Sequence, residues 1–310
     1  MALRFHEYLG AEEQNLLASI LNFRAEFDLF GQLDHIFQSP ISHIRVSEND
    51  ESGLLISQLY LFTHFHLYFS VSCVLRSHLS ESLSSTRKAI DASLTAYKII
   101  LDPSTAKNYA EQNNYFKYIK SNLQKEIQKD SSKYPLAHIL INLHDSCSEY
   151  GSHADISSFF HRMEMKELSE ANADLLQIHY FQFPRETSEY KFYFVVTLQA
   201  FLKMYEIFKV FLNSRLKIID PMGEASITDL NHIFEELRND TFQRLTGKKN
   251  RDRLSLCHEI KKRCWTPRLL KSCRQVNSDG QEPAAGCSGD RSRWVAQETD
   301  GPLCAARPNC

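Results

Sequence analysis

The sequence predicts a mainly α protein: a helical bundle with a long central helix, one inserted β-hairpin and a disordered C-terminal tail. Three observations carry this. Apolar residues recur at three- and four-residue spacing through most of the first 245 positions, the pattern of amphipathic helices. The period falls to two over a single stretch, 159–183. Composition then changes abruptly: all 20 Phe and 13 Tyr lie at or before Phe242, while both Trp and six of the eight Cys follow it.

Residues 12–37 open on Glu12 and Glu13 and carry Leu16, Ile20, Phe23, Phe27 and Phe30 on one helical face. Acids in a first turn favour a helix N-terminus. Gly31 is the expected end or kink, and Pro40 marks the exit. After a polar linker at 47–53, residues 54–101 contain no Gly or Pro. Leu75, Leu79, Leu83, Ile90, Leu94 and Tyr97 hold one stripe through the serine-rich stretch 77–85, where serines compete for backbone hydrogen bonds. The expectation is one long helix, or two nearly collinear ones. Phe116, Ile119, Leu123 and Ile127 make a further helix, Lys-rich on its other face. Next, Pro135 opens a helix lined by Leu136, Ile139, Leu140, Leu143 and Cys147, which Gly151 can cap. The runs 159–168 and 175–183 alternate apolar and polar residues and predict a hairpin that Pro184 ends. Two last helices, about 188–216 and 224–245, flank Asp220-Pro221. Residues 1–245 thus read as a single helical domain with its hairpin at about 157–183.

Residues 246–310 read as a basic, Cys-rich tail. No helical or strand period survives beyond about position 270. The tail is either a disordered extension or, slightly preferred, the point at which the natural reading frame was lost.

A hydrophobic content of 43% with 24% charged residues argues against general disorder. Charge divides with composition. Residues 1–243 hold 22 Lys and Arg against 31 Asp and Glu, whereas 244–310 hold 14 against 7. An acidic body offers no cationic footprint for nucleic acid, so that class of partner is not supported. Cys73 and Cys147, isolated in apolar helical patterns, read as buried hydrophobes and imply a reducing, cytoplasmic setting. The first seven residues lack the apolar region of a signal peptide. Residues 53–75 carry no charge and are just long enough to span a bilayer. Gln58, Thr63, His64 and His66 are costly in hydrocarbon, so a buried core helix is preferred and no membrane is expected.

Motifs of nucleotide-binding loops, serine hydrolases, zincins and Cys-x-x-Cys pairs are absent from the sequence. No cofactor or metal is implied. Cys257, His258, Cys264 and Cys273 have gaps that match no zinc spacing. His64 and His66 lie two apart, on different faces of a helix, and cannot chelate together. One segment concentrates chemistry. Residues 144–155 hold His144, Asp145, Ser148, Glu149, His153 and Asp155 at a helix end beside Gly151. Asp145 and Glu149 share a face, and His153 can approach them if the turn folds back, an arrangement suited to acid–base work or a divalent ion. The structural alternative, polar groups capping a last turn, is favoured. Arg87 and Asp91 are four apart amid Ile90, Leu94 and Tyr97, a pair suited to fixing helix packing.

The Arg87–Asp91–Tyr97 helix followed by the 148–153 turn resembles uncharacterised bacterial helical-bundle proteins, loosely similar to the HEPN class (higher eukaryote and prokaryote nucleotide-binding), over about residues 54–155. HEPN ribonucleases carry Arg, four to six residues, then His on one helix. Here only Arg251 and Arg253 precede His258 at that spacing. The leading functional expectation is therefore a non-catalytic helical interaction or regulatory protein, a homodimer or the binder of a protein partner. Tyr190, Phe192, Tyr193, Phe194, Phe201 and Tyr205 suggest more aromatic surface than one core needs. The alternative is a HEPN-like nuclease or other hydrolase using Arg87, Glu149 and His153.

If residues after 249 are dispensable for folding, truncation there changes the melting temperature by less than about 5 °C. Melts of the full and shortened chains check this.

Overall fold

In a computed structural model, residues 5–112, 115–130, 134–151, 163–168, 173–178, 187–215 and 223–247 are described, the backbone alone at 149–151, 163–168, 173–178, 223–226 and 245–247. These residues are mainly helical. The helices are α1 (Phe5–Asn22), α2 (Arg24–Gln38), α3 (Glu51–Leu75), α4 (Leu79–Leu101), α5 (Thr105–Glu111), α6 (Tyr115–Lys129), α7 (Pro135–Gly151), α8 (Ser188–Ser214) and α9 (Gly223–Gly247). Strands β1 (Met163–Leu168) and β2 (Ala173–Ile178) pair antiparallel, with Met163 opposite Ile178 and Leu168 opposite Ala173. Their side chains, and the rest of the expected 157–183 hairpin, lie outside the described residues, as does the tail after 247.

The first helix does not break at Gly31, which sits inside α2. It breaks at Phe23, whose φ of −113° and ψ of 32° depart from helical values while Phe23 N–H still donates to the Ser19 carbonyl at 2.8 Å. Phe23 is fully buried and meets the Phe194 ring at 6.4 Å, so core packing sets the bend. Asp50 caps α3 by accepting from Gly53 N–H at 2.9 Å. A side chain at Gly53 would drive its Cβ into that carboxylate, which explains the glycine.

The long central helix is replaced by an antiparallel helical hairpin. α3 ends at Arg76, and Ser77 adopts a left-handed φ of 67°. Ser77 N–H donates to the Val74 carbonyl at 2.9 Å, and His78 N–H reaches the Cys73 carbonyl at 2.8 Å. This pair of bonds is the Schellman ending, with serine where glycine is usual. Folded back, α3 and α4 are joined by buried hydroxyls. Thr86 Oγ1 donates to Ser70 Oγ at 3.2 Å, and His66 Nδ1 meets Ser85 Oγ at 2.8 Å. Of the serines that suggested a kink, Ser77 forms the turn and Ser85 joins the polar seam of this interface.

α4 packs against α3, α6, α7 and α8, and α8 also meets α2 and α9. α8 is the core. Tyr190, Phe192, Tyr193, Phe194, Phe201 and Tyr205 are all at most 4% exposed. They fill the interior instead of supplying a surface, which corrects the sequence expectation; each such burial contributes about 2–3 kcal/mol. The described part of α7 follows its pattern, with Leu140, Leu143 and Cys147 buried. Spare apolar surface lies on α3, whose outward residues Leu54, Leu61, Phe62, Phe65, Tyr68 and Phe69 are between 39% and 59% exposed. No described helix is long and apolar enough to cross a membrane.

Since a left-handed L-residue costs about 1–2 kcal/mol and glycine does not, Ser77→Gly should stabilise the fold by about 0.5–1 kcal/mol after the entropy cost of glycine. Urea unfolding tests this, and a loss of stability would mean that the serine side chain outweighs backbone strain.

Candidate functional site

The segment singled out in the sequence does meet Arg87, through His144 at its first position. α7 continues unbroken to Gly151, so His144 faces inward while Asp145 turns outward. His144 is 3% exposed. Its Nε2 lies 2.9 Å from Asp91 Oδ1, and Arg87 Nε stands 3.3 Å from the same nitrogen. On the other edge, Lys120 Nζ of α6 is 2.6 Å from Nδ1, and Asp145 Oδ1 is 3.3 Å away. Lys120 also pairs with Asp145 at 2.8 Å, and Ser148 Oγ donates to the His144 carbonyl at 2.7 Å. Three helices thus converge on one imidazole.

Glu149 lies in the last turn of α7, its side chain outside the described residues, and His153 lies outside them altogether. Arg87 and Asp91, expected to pair with each other, both approach His144 from α4 instead. Lys120 was missed. Its signal was visible, since it follows Ile119 between Phe116 and Leu123 on the apolar side of α6, where a cation needs a partner. Among the described residues no cluster of His, Cys, Asp and Glu is arranged to hold a metal.

The protonation logic follows from donor and acceptor chemistry. Lysine and arginine only donate, so a neutral ring accepts on one side, at Nδ1 from Lys120 or at Nε2 from Arg87, and carries its proton on the other. When the ring is protonated, both nitrogens donate, to Asp91 and Asp145, and Lys120 keeps Asp145 alone. Burial pulls the His144 pKa down, but its hydrogen bonds to Asp145 and Asp91 outweigh burial and raise it. The bond from His144, opposed by burial and helped by Lys120, lowers Asp145 to about 2. The cluster is a proton-holding knot whose exposed member is Asp145.

A second polar group joins α2 to α3. His64 Nε2 donates to Asp34 Oδ1 at 2.9 Å, Gln38 donates to Asp34 Oδ2 at 2.8 Å, and Gln38 also reaches the Tyr68 hydroxyl at 2.8 Å. Burial, then the Asp34 bond, pushes Tyr68 up to about 12. The ring of His64 stacks on Phe37 at 5.5 Å, whereas His66 turns to α4; the two histidines are separated as their spacing demands.

Comparison with protein-family models, curated proteins and solved structures gives no match, so the site is read from its own geometry.

Replacing His144 by Ala should destabilise the fold by about 2 kcal/mol, because Asp91 and Lys120 lose a buried partner. The pH dependence has a defined sign. A raised histidine pKa contributes stability that is complete below about pH 6.5, its unfolded value, and lost as pH rises through the folded value. The lowered Asp145 contributes above about pH 4 and is lost as pH falls toward 2. The stability gap between wild type and His144→Gln should therefore narrow on the alkaline side, and that for Asp145→Asn on the acid side. Denaturant titrations across pH measure both; gaps that do not move with pH would refute the assignment.

Proposed function

We propose that the chain is a non-catalytic helical interaction or regulatory protein that acts through self-association or a protein partner. The observation that supports this reading is the closure of the polar cluster. His144, the group best suited to acid–base work, is buried with both ring nitrogens occupied by side chains of three helices. A general acid or base needs a reachable proton, and this one is committed to neighbours. Such clusters fix helix packing. A cytoplasmic, reducing setting fits the two cysteines of the described residues, which are free thiols, both buried.

The competing reading, a HEPN-like nuclease or other hydrolase, draws on the approach of Arg87 to His144. It requires Arg87 and His144 on adjacent helices to do what the HEPN pattern places on one, with Glu149 and His153 nearby. The two readings separate in one experiment. Purified wild type, Arg87→Ala and His153→Ala are incubated with RNA and nucleotides, with melts in parallel. The interaction reading expects no processing by any of them. Wild-type cleavage that Arg87→Ala abolishes without altering the melt would overturn it.

A further inference from the structure

We propose that the outward face of α3 is a self-association surface, on which α3 of a second copy lies antiparallel across a two-fold axis near Leu61 and Phe62. This rests on the interaction reading and gives it a place on the molecule.

α3 is apolar nearly all round and carries no Lys or Arg. Helices of that kind are ordinarily enclosed. Here the inner two-thirds is buried, chiefly against α4 and α8, with α1, α5 and α2 also in contact. The remaining stripe, positions 54, 58, 61, 62, 65, 68 and 69, follows one line along the helix and contains no charged side chain. Leu61, Phe62, Phe65, Tyr68 and Phe69 are 46%, 44%, 59%, 39% and 49% exposed. At about 200 Å² for a whole aromatic side chain, the stripe offers roughly 500 Å², at the upper end of what one patch on a monomer presents. Two copies would bury roughly 1,000 Å² through the stripe alone, near the lower bound for a specific interface before flanking residues are counted.

The charge pattern selects the occupant. In a two-fold interface residues on the axis meet their own copies and the others meet different residues of the same patch; a stripe without charges sets no like charges together at the axis and leaves none unpaired off it. A lipid surface is selected against, because helices lying in that interface carry Lys and Arg on the polar side, whereas α3 carries neither, and of the acids flanking this stripe Asp50 pairs with Arg215 and Asp34 with His64. The cationic 244–310 segment would find nothing to pair with on the stripe itself. The surface is also held in shape: Gln38 fixes the Tyr68 hydroxyl at 2.8 Å and Phe30 meets the Tyr68 ring at 6.3 Å. Little ordering is left to be done on docking.

The test uses the full chain at about 1–100 µM in light scattering coupled to size exclusion. Wild type is expected to be a dimer, and Phe62→Glu and Phe62→Lys each a monomer with an unchanged circular dichroism spectrum. Position 62 lies beside its own copy across the axis, so mixing the two variants should restore the dimer. Should Phe62→Glu fail to fold, Phe65→Glu, at the most exposed position of the stripe, replaces it. A wild-type monomer throughout overturns the proposal. So does a dimer that survives every α3 substitution, which leaves the interaction reading standing. Binding of a monomer to phosphatidylcholine–phosphatidylglycerol vesicles would reassign the face to lipid. RNA cleavage lost in Arg87→Ala would instead remove the reading beneath it.

Discussion

The reversal at Ser77 is the constraint on which the described helices depend. Without it, α3 and α4 would run on as one rod some 70 Å long, at about 1.5 Å per residue, and the apolar sides of both would face water. With it, buried polar groups that each need a partner find one across the hairpin, Thr86 with Ser70 and Ser85 with His66. Only then does α4 present its remaining faces to α6, α7 and α8 together. The turn is further tied to α1, where Glu12 accepts from His78 Nε2 at 2.7 Å. A single left-handed residue therefore decides how α1, α6, α7 and α8 are brought together.

Much of this was legible in the residues, and the failures have physical causes. α6 and α7 announce themselves because each buries one stripe, and α8 because its apolar run is bounded by Pro184 and Pro221. The hairpin of α3 and α4 was hidden because its ending uses Ser77 in a position where Gly is the usual marker, and the hydrophobic period runs through the turn unbroken. A periodic stripe records which side of a helix is buried, not whether the chain doubles back. Gly31 misled in the opposite way: it lies inside α2 with open space around it, while Phe23 bends the chain to suit the core. Aromatic abundance on α8 was read as surplus, but a helix enclosed by α2, α3, α4, α7 and α9 needs large side chains on every face.

The polar cluster was half legible. Arg87, Asp91 and the 144–155 segment were marked by their spacing and concentration, and the structure does join the first two to His144. The particular partner was not, because it depends on how far α7 continues and hence on which residues of the segment point inward. Lys120 comes from a third helix, and no pattern local to α7 or α4 contains it. Tertiary assembly supplies such partners, which is why constellations drawn from separate helices are harder to read from a chain than those on one.

The ending of α3 also gives the molecule a built-in clock. Cys73 lends its carbonyl to the turn, and the residue is buried. Burial first, with Glu81 adding and Arg76 opposing, pushes its thiol up to about 11, so it holds almost no thiolate at neutral pH. A thiol reagent reacts with the thiolate and needs access, and the closed turn withholds both. Covalent capture at Cys73 thus requires the hairpin to open: it reads the opening rate when the reagent outpaces reclosing, and the opening equilibrium when it does not.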